Sequence, residues 1–251
     1  MITIELKLPF LWFHRYLRRM VPVSWTEITG QQLIAISEVV PGQGNDELDF
    51  LSCLTGLNKR TINRLPSFVH YSIYRNLEFL TDSEPCSHYF IIKELPGTRL
   101  IAPAQKLSRM SFGQFIFCES YYSDWIRSQE PEKLYRFVAS LYLLKGERFN
   151  PDTVEVKVNK LKRADIKVLK AIAFNYSMVL RWLQKRYPMV FQEGKKQEDP
   201  DLKKMMETSV WVKLFESLVG EDLIHRDAYA ELPVHAVLKY LTRKYLEGIK
   251  N

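Results

Sequence analysis

Twice in this chain a Ser or Thr is followed three residues later by Gln, at the head of an apolar helical pattern. The two stretches are Ile28-Thr29-Gly30-Gln31-Gln32-Leu33-Ile34 and Met110-Ser111-Phe112-Gly113-Gln114-Phe115-Ile116. This is the capping-box pattern. The hydroxyl accepts from the backbone N–H three residues on, and the Gln side chain reaches back to the N–H of the cap residue. It predicts that two helices begin at Thr29 and Ser111, and so it constrains architecture before anything else in the sequence does.

Other punctuation extends the helical reading. The first helix runs over 30–40 and is stopped by Pro41-Gly42-Gln43-Gly44, a turn that lacks the Lys and the spacing of a phosphate loop. A second begins near Asp46 and ends at Gly56, a natural residue just past a helix end. A short helix follows from Asn58, then one over 66–80 with Pro66 in its first turn. Further helices are predicted over 112–126, 131–144, 164–187, 202–219 and 234–248, with 145–158 as an extended loop around Asn150-Pro151.

The period changes in two places. Ile2, Ile4, Leu6 and Leu8 alternate with Thr3, Glu5 and Lys7, as in a half-buried strand. Residues 88–92 and 99–101 flank Pro96-Gly97 and predict a hairpin. The expected fold is therefore mainly α (α+β), multi-helical with one small antiparallel sheet made from 2–8, 88–92 and 99–101. Segment 10–20 mixes aromatics with His14, Arg15, Arg18 and Arg19 and reads as a short amphipathic helix, with membrane-surface or partner docking as the sharper alternative.

One linker stands out. Gln192–Asp201 has no apolar residue, mixed charge, Gly194 and Pro200. It divides the sequence into a helical core with its small sheet (1–190), a charged linker (191–201) and a C-terminal helical segment (202–251). The two capped helices also head a loose internal repeat, with Phe50-Leu51-Ser52-Cys53-Leu54 after the first and Phe137-Val138-Ala139-Ser140-Leu141 after the second. Convergent helix signals explain that likeness as well as duplication does.

The chain carries 36 basic against 29 acidic residues, for a net charge of +7. A mildly positive surface is the plain reading, and a polyanion binder, with cations gathered on one face, is the sharper one. The cations worth weighing are Lys160, Arg163 and Lys167, whose three- and four-residue spacings let them share a helical face. No aromatic or glycine interleaves with them for base contact, and Asp152, Glu155 and Asp165 dilute the row, so nucleic acid is the less favoured partner.

Catalytic patterns do not emerge. Cys53, Cys86 and Cys118 are too widely spaced for a disulfide framework or zinc. The five histidines form no pair at metal-ligand spacing, and neither a nucleophile elbow nor a kinase set is present. No metal, no cofactor and no enzymatic activity are expected. The opening residues do not read as a secretory leader, and no apolar run approaches the roughly 18–20 residues of a spanning helix. Asn175-Tyr176-Ser177 matches a glycosylation acceptor that has no meaning in a cytoplasmic protein. The aromatics Trp211, Phe215, Tyr240 and Tyr245 lie beyond the linker, in a segment too small for a deep core, and are the candidates to face a partner.

The order of these signals resembles a family of phage and prophage tail assembly chaperones, especially those of Bacteroidetes phages. The resemblance is carried by Val23-Ser24-Trp25-Thr26-Glu27-Ile28-Thr29-x-x-Gln32, Phe50-Leu51-Ser52-x-Leu54-Thr55-Gly56-Leu57 and Ile62-x-x-Leu65-Pro66. It continues through Leu77-x-Phe79-Leu80, the hairpin, and Leu107-x-x-Met110-Ser111-x-Gly113-Gln114-Phe115, covering about residues 21–145. The chain departs from the pattern in segment 10–20 and in a Lys-rich third region. The resemblance implies a non-enzymatic helper in the cytoplasm of the bacterial host. Such a helper binds apolar helical segments of the tail tape-measure protein, or another tail protein, until the tail tube forms around them. A structural component that stays in the particle and a basic nucleic-acid-binding accessory protein are the rival readings. Self-association is left open, and no membrane partner is implied.

Overall fold

The computed structural model describes residues 2–10, 13–39, 47–80, 89–191 and 210–248. The chain divides into two compact units, Met1–Ser87 and His88–Asn251. The mainly helical class expected from the sequence is what the structure shows, with minor antiparallel pairing in each unit.

The first unit opens with a hairpin of β1 (Ile2–Phe10) and β2 (Phe13–Val21). Its register runs from Ile2 opposite Val21 to Phe10 opposite Phe13, and sets Glu5 opposite Arg18. Residues 13–20 of the segment expected to be an amphipathic helix thus lie in the second strand of this pair, Phe10 ends the first, and the partner of β1 is this neighbouring strand rather than the expected strands at 88–92 and 99–101. The physical reason is a mixed alternation. Arginines stand among the apolar residues along the strand, so a period of two is hidden from a hydrophobicity count.

Among the described residues the α-helices of this unit are α1 (Gly30–Glu38), α2 (Glu47–Thr55), α3 (Lys59–Asn63) and α4 (Ser67–Asn76). The capping box at Thr29 is complete: the Gln32 N–H donates to Thr29 Oγ1 at 3.3 Å, and Thr29 N–H donates to Gln32 Oε1 at 2.9 Å. Asn58 caps α3 through a bond from Thr61 N–H. Gly56 ends α2 at φ +67, where a side chain would be strained, and its carbonyl accepts from Arg19 Nε at 3.2 Å. Leu33, Leu51, Leu54, Ile62 and Ile73 form the core, with Trp25 packed edge-on to Phe79. The turn expected at 41–44 lies outside the described residues.

The second unit is built on α5 (Phe112–Ser128), α6 (Pro131–Leu141), α7 (Val154–Leu161) and α8 (Ile166–Arg186). A short α9 (Pro188–Phe191), then α10 (Val210–Val219), α11 (Arg226–Glu231) and α12 (Val234–Gly248) close it. The expected loop over 145–158 contains the start of α7, because Asn150 and Pro151 form a one-turn 3-10 entry rather than a break. The expected 88–101 hairpin is reduced to a Glu94–Ile101 bridge around the Pro96-Gly97 turn. Its second arm, β3 (Leu100–Ile101), pairs with β4 (Leu143–Leu144).

The loop before that turn is held by polar groups the sequence did not single out. Asn175, 1% exposed, accepts from Ile91 N–H and donates to the Tyr89 carbonyl. Tyr142, fully buried, donates its hydroxyl to the Ile92 carbonyl at 2.6 Å. A loop with no ladder partner must satisfy its backbone this way. The amide of the apparent glycosylation acceptor is thereby spent inside the core.

The linker 192–201 lies outside the described residues, and the compact units divide at Ser87/His88 instead. Helices α10 to α12 belong to the second unit. Phe112 N–H donates to the Leu232 carbonyl, and Val234 N–H to the Met110 carbonyl. Gly113 lets α11 approach: a Cβ there would stand 3.1 Å from that of Ala230. No helix among the described residues is long and apolar enough to cross a membrane.

Candidate functional site

Three places concentrate chemistry that packing alone does not require. The first is a cleft of about 990 Å³ in the second unit, between the Gly97–Leu100 turn and the α7–α8 corner. Arg99, Lys160 and Arg163 line it, with Leu144 and Val156 as an apolar wall. The structure therefore brings two of the three expected cations, Lys160 and Arg163, to one cleft. They do not share a helix face as expected. Lys160 lies in the last turn of α7, Arg163 sits in the corner, and Lys167 lies in the first turn of α8, outside the lining. The break comes from Asp165, whose side chain caps α8 by accepting from Lys167 N–H.

Beside these cations, others are neutralised. Lys157, 5% exposed, pairs with Glu147 at 2.7 Å. Burial works against the Glu147 carboxylate, but the bonds from Lys157 and from Leu144 N–H hold it below the ordinary range. Arg136 pairs with Glu155 at 2.8 Å and Lys162 with Glu132 at 3.5 Å. Arg99, which completes the cleft, was missed by the sequence reading. Its only signal is a cation directly after the Pro-Gly turn, and nothing in the sequence shows what that turn faces.

The second place is the outer face of α4. Ile73 and Leu77 pack inward, while Phe68 (74% exposed), Tyr71 (71%) and Tyr74 (39%) point away from the core. Arg75 and, on the preceding segment, Arg60 and Arg64 are exposed as well. Three large exposed aromatics on one helical arc is more than the scatter of single apolar residues normal on a surface. The signal was present in the spacing of Phe68, Tyr71 and Tyr74, three residues apart, against an inward row of Val69, Ile73 and Leu77.

Third, a polar cluster lies between α5, α8 and α10. Glu119, half-buried, accepts from Tyr176 Oη at 2.6 Å. Burial pushes its carboxyl up to about 7, against hydrogen bonds from Tyr176 and Trp211 that favour the ionised form. Burial likewise pushes Tyr122 up to about 12 and raises Tyr176 and Cys118 well above their usual values. The donors and the acceptor satisfy one another, so the cluster ties α10 to α5 and α8. Its sequence signal was a lone carboxylate on an otherwise apolar stretch of α5.

The four aromatics expected to face a partner are placed otherwise in part. Phe215 is buried at 8% exposure, and Trp211 is half-buried, its ring 4.9 Å from Phe115 and 5.3 Å from Phe191. Both are packing residues, because α10 lays them against Phe112 and Phe115 of α5. Tyr240 and Tyr245 are half-buried on α12, with Arg243 and Lys244 over the Tyr240 ring. Among the described residues no group of three His, Cys, Asp or Glu is arranged to hold a metal ion. No family model matches the chain, and neither a curated protein nor a solved structure matches it.

Proposed function

We propose that the protein is a non-enzymatic binding protein that engages apolar helical segments of a partner. The single observation that carries this reading is the outward aromatic face of α4, where Phe68 and Tyr71 are each more than two-thirds exposed. Helix-in-groove and helix-on-helix recognition use anchors of this kind, read at three- and four-residue spacing. Tyr and Phe supply large contact area at low entropic cost.

The resemblance over residues 21–145 supports a specific partner: the tape-measure protein of a phage tail, or another tail protein, held soluble in the cytoplasm of a bacterial host. The α4 face falls inside the stretch that carries the resemblance. Arg60, Arg64 and Arg75 around the aromatics favour a partner helix with acidic residues beside its apolar stripe.

Co-expression tests this reading. The full-length protein keeps an otherwise insoluble tape-measure protein in solution and co-purifies with it, and the Phe68→Ser/Tyr71→Ser variant does not. Failure to retain any tail component would count against the reading. Recovery of the protein in purified particles would instead favour a structural role.

A further inference from the structure

We infer that the cleft between the Gly97–Leu100 turn and the α7–α8 corner binds the phosphodiester backbone of a nucleic acid, through Arg99, Lys160 and Arg163. This does not rest on the partner-helix reading, which concerns the first unit.

Convergence is the first observation. The three cations come from two segments some sixty residues apart, Arg99 from the turn before β3 and Lys160 and Arg163 from the end of α7 and the corner after it, and meet on one cleft of about 990 Å³, all with exposed side chains. A solvated basic face built by one helix would show no such convergence. Charge balance is the second. Lys157, Lys162 and Arg136 each have a carboxylate within 4 Å, whereas Arg99, Lys160 and Arg163 have none among the described residues. The lining itself contains no Asp or Glu. Three like charges gathered without a counter-charge repel one another, and an anion in the cleft relieves that repulsion.

The chemistry of the lining selects the anion. Two of the three cations are arginines, whose planar fork matches phosphate oxygens in pairs. The cleft is only half enclosed, so it suits a chain passing along it better than a small molecule whose surface must be mostly covered. No aromatic lines it and Asn159 is its one side-chain amide, so bases are neither stacked nor read, and contact is with the backbone. An acidic peptide adding to β4 meets an obstacle. Leu144 N–H already donates to Glu147 Oε2, and the Leu144 carbonyl already accepts from Glu147 N–H. The net charge of +7 draws any polyanion in.

Fluorescence anisotropy with a labelled duplex oligonucleotide tests this on the full chain. One triple variant, Arg99→Gln/Lys160→Gln/Arg163→Gln, empties the cleft of charge. A second, Arg109→Gln/Lys170→Gln/Lys239→Gln, removes the same net charge from exposed positions outside it. Circular dichroism establishes that both are folded. The cleft variant is expected to bind at least about tenfold more weakly, while the control stays within about threefold of the wild type. Counterion release predicts that the slope of log K against log salt loses up to about 2.7 in magnitude in the cleft variant, at about 0.9 per phosphate contact. Absence of binding at low salt, equal weakening in the control, or tighter capture of a polyglutamate peptide than of DNA by the same three residues would each overturn the assignment.

Discussion

Gln114 Nε2 donates to the Ser140 carbonyl at 2.9 Å, and in the other unit Gln32 Nε2 donates to the Leu54 carbonyl at 2.8 Å. In both units the capping Gln of one helix satisfies a carbonyl at the C-terminal end of the next, α1 to α2 and α5 to α6. Those last-turn carbonyls have no intrahelical partner of their own. The two glutamines differ in what else they do. Gln32 also closes its capping box, whereas Gln114 caps only through its backbone N–H and turns its side chain wholly to α6. The loose repeat in the sequence thus corresponds to a shared hydrogen-bond device, placed on the same pair of apolar segments.

Replacing Gln114 by Leu leaves the Ser140 carbonyl unpaired in a buried place. The expected cost is about 1–3 kcal/mol. The same change at Gln32, where the bond is part-buried, should cost less. Urea denaturation of the two variants gives the comparison, and equal, negligible losses would mean the device does not hold the helices together.

The caps themselves are a separate test. Thr29→Ala and Ser111→Ala should each lower stability by about 0.5–2 kcal/mol, since each removes a side-chain acceptor from a helix's first turn. Thermal melts that superimpose on the wild type would contradict the assignment.

Glu119 makes stability depend on pH in a definite direction. Its carboxyl holds a proton up to about pH 7 in the folded protein, against an ordinary value of 4.5. Between those values the unfolded chain ionises while the folded one stays protonated, so folding is favoured most at the acid end and loses stability as pH rises towards about 7. Glu119→Gln cannot ionise and should flatten that part of the profile. Urea midpoints taken from pH 5 to pH 8 with Trp fluorescence follow it, and a wild-type profile that rises over this range, with no difference in the variant, would refute the assignment.

Much of the helical frame was legible in the sequence because its ends are marked locally. Thr29, Ser111 and Asn58 caps, Gly56 past α2 and Pro131 at the start of α6 all report on their own neighbours. What misled was non-local. The partner of β1 was hidden because the arginines of β2 mask its alternation. The packing of Trp211 and Phe215 against Phe112 and Phe115 was hidden because aromatic spacing on a helix says nothing about which surface meets it. Lys160 and Arg163 were legible as cations, but the cleft needs Arg99, sixty-odd positions away and placed only by the turn before β3.

The outward face of α4 should be nearly free of structural duty. Phe68→Ser and Tyr71→Ser are expected to change stability by less than about 0.5 kcal/mol each, as for surface positions away from caps and cores. A larger loss would show that these rings are packed in solution, and would remove them as anchors.

The central claim is that those rings bind apolar helices, and it is tested most directly by titrating labelled amphipathic helical peptides of a tape-measure protein into the wild type and into Phe68→Ser/Tyr71→Ser. The account predicts binding that survives a tenfold rise in salt, as burial of apolar surface should, and at least a tenfold loss of affinity in the variant. Equal affinity in both proteins, or binding that disappears with salt, would contradict it.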